Sequence, residues 1–139
     1  MSWVVDTSIL IDVAEHDPTF GVASATILEE KLSRGLTVCP VTYVELGPVF
    51  EGRVDLQEEF LGKVGIDWTQ AWTSHDTHAA FRSWSEYVRK RRSGIEAKRP
   101  IADILIGAFA GRFDGLITRN AKQFSRLFPE LPVVEPKQR

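Results

Sequence analysis

The stretch VVDTSILID, Val4 to Asp12, decides the fold. An apolar run stops at an aspartate, passes two hydroxyl residues and turns apolar again. Trp3, Val4 and Val5 carry aromatic and β-branched side chains and predict a short buried strand. Thr7 and Ser8 are residue types that cap helices by accepting a backbone N–H. Ile9, Leu10 and Val13 then recur at helical spacing. Asp6 therefore falls at the carboxyl end of a strand, just before a helix. In open α/β sheets that edge is where ligands bind. Two readings of Asp6 stand side by side here: a cap or turn residue, and a carboxylate facing a ligand.

The same alternation continues along the chain. TFGVASATILEEKLSRG (19–35) has helical periodicity, with Gly35 as its C-cap. LTVC (36–39) reads as a second buried strand stopped by Pro40. VTYVELGPVF (41–50) begins with a hydroxyl cap candidate and reads as a helix ending near Gly47 and Pro48. DLQEEFLGKVG (55–65) is an amphipathic helix and GIDW (65–68) a short strand. SHDTHAAFRSWSEYVRKRRSG (74–94) predicts a long helix whose basic end suits the helix dipole. RPIADILIGAFAGRF (99–113) is a strongly apolar helix with Pro100 in its first turn. GLIT (115–118), AKQFSRLF (121–128) and PVVE (132–135) follow as strand, helix and strand. Strands that alternate with helices predict an α/β fold with a mainly parallel sheet covered on both faces.

The 139 residues match one ordinary domain, with no repeat or linker, so a single domain over 1–139 is expected. A 43% hydrophobic and 26% charged composition fits a folded globular chain. The net charge of −2 excludes a generally basic nucleic-acid binder, so attraction to phosphate requires a local patch or a metal ion. The lone Cys39 allows no internal disulfide and, between Val38 and Pro40, reads as core packing. It fits a reducing compartment. No apolar run is long enough to span a bilayer, and the first residues lack a basic region and are broken by Asp6 and Asp12. A cytoplasmic location is the expectation.

Three carboxylates stand where burial is expected. Asp6 follows the first strand, Glu45 follows Val44, and Asp103 lies among Ile101, Ala102, Ile104, Leu105 and Ile106. A helix that apolar is buried on most faces. An unpaired carboxylate there is costly or becomes protonated. Taken singly, Asp103 is also explained as a dipole-favoured acid at a helix start, and Glu45 as an exposed helix position. Taken together, three acids near one sheet edge repel each other unless a cation neutralises them. A hard divalent ion such as Mg²⁺ takes oxygen ligands and keeps waters and substrate phosphates around it. Such an ion polarises phosphoryl oxygens and acidifies bound water, the chemistry of phosphodiester hydrolysis.

VVDTSILID, VTYVELGPVF, PIADILIGAFA and GLITRNAKQF occur in that order over nearly the whole chain. They resemble the four motifs of the PIN-domain family, and most of all the VapC-type ribonuclease toxins of bacterial toxin–antitoxin pairs. The resemblance implies a compact three-layer α/β/α domain whose acidic cluster binds Mg²⁺ or Mn²⁺ and cleaves RNA. It implies that Asp6 and Asp103 are metal ligands and catalytic residues, with Glu45 as the second catalytic acid of the cluster, either a ligand or a positioning group. Thr7, Thr118 and Asn120 would support the site. A small antitoxin protein is the implied partner, blocking the acidic site, and a homodimer is common in such toxins. In the fourth motif many relatives carry an acid where this chain has Asn120 or Gln123. Neutral amides coordinate more weakly, which leaves the first ion and weakens the case for a second.

RKRRSGIEAKR (89–99) is the strongest charge run. Arg89, Lys90, Arg91 and Arg92 are candidates for holding an RNA backbone, against the alternative of a solvated helix end. Arg119, beside Thr118, is placed in sequence to face the site. Trp68, Trp72, Trp84 and Phe81 suit a core or partner surface better than base stacking. His75 and His78 lack a metal pattern and read as surface residues. Two rival functions remain. One is a PIN fold that acts only as a binding partner in a regulatory complex. The other is a phosphatase of the haloacid dehalogenase type, which also starts from an aspartate after its first strand but wants a second acid where this chain has Ser8.

Overall fold

The computed structural model describes residues 2–91 and 100–137. Arg92 lies outside the described residues.

Five strands form one sheet: β1 (Trp3–Val5), β2 (Leu36–Thr37), β3 (Ile66–Asp67), β4 (Gly115–Ile117) and β5 (Val133–Val134). Their order is β3-β2-β1-β4-β5, and every pair is parallel. The chain moves outward from β1 to β3, then returns to β1's other side for β4 and β5. The order therefore reverses between β1 and β4, and that switch point opens a crevice at the carboxyl ends of the strands. Trp3 pairs with Gly115, Val4 with Leu116 and Val5 with Ile117. Gly115 has φ of 154°, and a Cβ there would meet the Pro132 carbonyl oxygen at 2.5 Å and the Trp3 ring at 2.6 Å. Only glycine lets β4 start in this register.

The pleat sends alternate residues to opposite faces. Val5 and Ile117 join one cluster with Ile9 and Leu10 of α1 (Thr7–Ala14), Ile27 and Leu28 of α2 (Gly21–Lys31), and Leu61 of α4 (Val54–Val64). Val4 and Leu116 face the other way, against Ile106 and Phe109 of α6 (Ile101–Ala110) and Phe124 of α7 (Ala121–Leu127). The α5 helix (Ser74–Lys90) covers α6 from outside, where Ala80 packs with Ile104 and Ala108. These are the three α/β/α layers, around a sheet that is wholly parallel. Among the described residues, no helix is long and apolar enough to cross a membrane.

Local expectations are corrected at the starts of two helices. Pro40 does not merely end β2: it opens α3 (Pro40–Glu45) at the first helical position, behind Cys39 as N-cap. Its missing N–H costs nothing there. Thr42 is then a buried residue inside the helix, not its cap, and a 3₁₀ turn over Gly47–Phe50 follows. Pro100 stands just ahead of α6 as its N-cap rather than within it. The long α5 starts with a reciprocal cap between Thr73 and Asp76. Asp76 is fully buried and held by Arg112 through two bonds of 2.6 and 2.8 Å. Burial alone would raise its carboxyl, but Arg112 and Thr73 hold it below the usual range.

Candidate metal centre

Asp6, rather than Thr7 or Ser8, takes the cap position. It is the N-cap of α1, with Oδ1 accepting the Thr7 N–H at 2.8 Å. Its other oxygen, Oδ2, accepts the Thr118 hydroxyl at 2.6 Å and the Ser8 hydroxyl at 3.3 Å. Thr118 directly follows β4, so this bond spans the switch point. The Thr118 oxygen also accepts the Asn120 N–H at 3.0 Å, which ties the start of α7 to the same carboxylate. Asp6 is 7% exposed. Burial, and after it the nearby Asp103 carboxylate, push its pKa up to about 6 against the hydrogen bonds of Thr118, Thr7 and Ser8.

The structure thus brings Asp6 and Asp103 within electrostatic reach of each other. Asp103 comes from the first turn of α6, the apolar helix beneath the sheet, and is half-buried. Glu45 stands apart. It is exposed at the end of α3, and the Thr7 hydroxyl donates to its Oε1 at 2.5 Å. That hydroxyl shares a 3.0 Å hydrogen bond with Thr42 as well. Thr7 therefore links two acids, through its N–H to Asp6 and through its side chain to Glu45. Among the described residues, no three acidic, histidine or cysteine side chains group closely enough to cage an ion. The convergence of three acids expected from the sequence is therefore a convergence of two, with the third tethered alongside. The donor set still fits Mg²⁺, which binds through one or two carboxylates and keeps several waters. A buried carboxyl under the repulsion of a second one is the electrostatic setting that a divalent cation relieves.

Asn120, the N-cap of α7, leaves its side chain out of the capping bonds. With Asp103 and Gln123 it lines a cavity of about 580 Å³ that also takes in Lys90, Arg91 and Arg126. Of the other cationic candidates, Arg89 is turned onto Glu86. Arg91 bonds the Tyr87 hydroxyl and lies 5.0 Å from its ring centroid. Arg119 does not face the site. Its Nε lies 2.8 Å from Asp12, which is 2% exposed, and its guanidinium covers the Phe20 ring at 4.1 Å. Ser24 adds a 3.1 Å bond to the same carboxylate. A buried acid reaching from α1 draws this arginine away from the crevice. His75 and His78 are exposed, and burial pushes the Cys39 thiol up to about 11. Thr42 and Lys122 were missed in the sequence. The first has a signal, a hydroxyl at a position a short apolar helix buries; the second, a lone lysine in an amphipathic helix, has none.

No family model and no curated protein matches the chain. Among solved structures, the chain is similar to the crystal structure of VapBC2 from Rickettsia felis bound to a DNA fragment from their promoter. The two share 14% identity at a TM-score of 0.65, and the match covers 99% of this chain and 100% of the other. At that identity the likeness establishes the fold: a PIN-like α/β/α arrangement over essentially the whole chain.

Proposed function

We propose that the chain is a Mg²⁺- or Mn²⁺-dependent endoribonuclease, acting as the toxin of a toxin–antitoxin pair. The observation that carries this is the buried Asp6 carboxyl at the sheet's switch point, under the influence of Asp103. A metal ion held there would polarise the scissile phosphate and acidify a bound water. Asp6 and Asp103 are the residues that would hold it. Thr118, Ser8 and the Thr7 N–H fix both oxygens of Asp6 in advance, so little reorganisation is needed on binding. Glu45 is pinned through Oε1, which leaves Oε2 to orient the attacking water by accepting its hydrogen bond. Lys90 on the cavity wall would meet RNA phosphates. The VapBC2 likeness supports a small antitoxin as partner, seated over the acidic site, and a homodimer of the toxin remains part of this reading.

A second reading, a PIN fold that only binds partners, draws on the lack of a three-acid group among the described residues. One experiment separates the two. The purified chain, freed of any partner, is incubated with a panel of cellular RNAs in Mg²⁺ or in excess chelator. Cleavage that needs the ion supports the nuclease; no cleavage of any RNA, with the fold intact, supports the binding partner.

A further inference from the structure

The cavity beside Asp103 has two walls of different origin. One is the last turn of α5, which contributes Lys90. The other is α7, which contributes Lys122 and Arg126. These two lie four residues apart and so share one face of the helix. Most arginines of the described residues are already committed. Arg34, Arg53, Arg89, Arg112 and Arg119 each pair with a carboxylate, and Arg91 meets Tyr87. Arg126, Lys122 and Lys90 have no carboxylate within ion-pair distance among the described residues. The nearby acid Glu86 is taken by Arg89. In a chain of net charge −2, these three cations and Arg91 outnumber the two acids on the cavity's lining, Glu86 and Asp103, so the concavity is locally positive. Its volume of about 580 Å³ lies in the range of pockets that take small ligands and leaves room for a nucleotide unit. The amides of Asn120 and Gln123 line the same wall and offer donors and acceptors to a sugar or base edge.

We propose that this cavity is a phosphate-binding subsite for single-stranded RNA, with Lys122, Arg126 and Lys90 holding backbone phosphates next to the bond placed at Asp6 and Asp103. It rests on the ribonuclease reading for its ligand, but its binding step needs no metal. Lys90 belongs to the basic run conspicuous in the sequence, and Lys122 and Arg126 of α7 add contacts from outside that run.

The test is equilibrium binding of a fluorescein-labelled single-stranded RNA oligonucleotide in chelator, over a range of salt. The Lys122→Gln/Arg126→Gln variant is compared with wild type, and Arg82→Gln, an exposed arginine outside the cavity, is the control. Both substituted positions in α7 are exposed, and equal melting temperatures would confirm an intact fold. Loss of two phosphate contacts to a single strand makes the log–log salt slope shallower by about 1.4. That slope corresponds to binding about 60-fold weaker at 50 mM salt and about tenfold weaker at 200 mM. An unchanged slope and affinity in the double variant overturns the proposal, as does an equal loss in the Arg82 control. If wild type binds with the expected slope and the double variant loses it, while no RNA is ever cleaved in Mg²⁺, the subsite stands and the nuclease reading fails. If Mg²⁺-dependent cleavage is found and the double variant binds as wild type does, the nuclease stands and the subsite fails.

Discussion

Replacing Asp6 with asparagine should stabilise the metal-free protein at neutral pH while removing its response to Mg²⁺. The folded-state pKa of Asp6 rises from its ordinary 3.8 to about 6, chiefly because the carboxyl is buried and then because Asp103 is near. An acid whose folded pKa is raised favours folding when protonated. Its contribution is complete below the unfolded pKa and is lost as pH rises through about 6. At pH 7.5 that loss is about 3 kcal/mol, and at pH 4.5 about 1 kcal/mol. Asparagine avoids it at both pH values. Its amide oxygen can still accept the Thr7 N–H, and its NH₂ can donate to the Thr118 and Ser8 hydroxyl oxygens, so most hydrogen bonds survive. At about 3 °C per kcal/mol for a chain of this size, Asp6→Asn should melt about 6–9 °C higher than wild type at pH 7.5 in chelator. The gain should shrink to about a third of that at pH 4.5. Circular dichroism melts at both pH values, repeated in Mg²⁺, read all of this. In Mg²⁺ the wild type should gain stability and the variant should not. A variant that melts lower than wild type in chelator, or a difference that does not change with pH, would refute the reasoning.

Three further outcomes follow from the geometry. Asn120→Asp adds a carboxylate on the cavity wall beside Asp103, so Mg²⁺ should raise its melting temperature more than that of wild type, while in chelator it should melt lower. An equal or smaller rise would mean that position 120 does not face the ion. Arg112→Ala strands the fully buried Asp76 and should cost about 3–5 kcal/mol in urea unfolding. Arg119→Ala leaves Asp12 unpaired at the far end of α1 and should cost about 2 kcal/mol by the same measurement, without changing the salt slope of RNA binding.

The strand–helix junction at Asp6 was legible because the hydrophobic period changes there from strand-like to helical within a few residues. The same change of period marks every later element, which is why the three layers and the parallel sheet could be read. Element edges were less legible: Pro40 punctuates both the end of a strand and the start of a helix, and only the structure decides that it opens α3. Long-range pairs left no local trace. Asp12 looked like a polar break in an apolar run, yet it is the buried partner of Arg119, 107 residues away. Asp76 and Arg112 are likewise 36 residues apart. The basic run around Arg89 stood out by composition, but composition does not reveal which cations are already neutralised. Arg89 is, by Glu86, and the uncommitted Lys122 and Arg126 sit in a helix of ordinary charge. Glu45 is tied to Asp6 only through Thr7, whose N–H meets one acid and whose hydroxyl meets the other, and no local pattern announces that link.

The central claim is that Asp6 and Asp103 share one divalent cation. Its most direct test is a Mn²⁺ titration followed by the electron paramagnetic resonance signal of the free ion, on wild type, Asp6→Asn and Asp103→Asn. The account predicts saturable binding of one ion per wild-type chain, and binding weakened at least tenfold in each variant. Wild-type binding retained in either variant, or no saturable binding by the wild type, would contradict it.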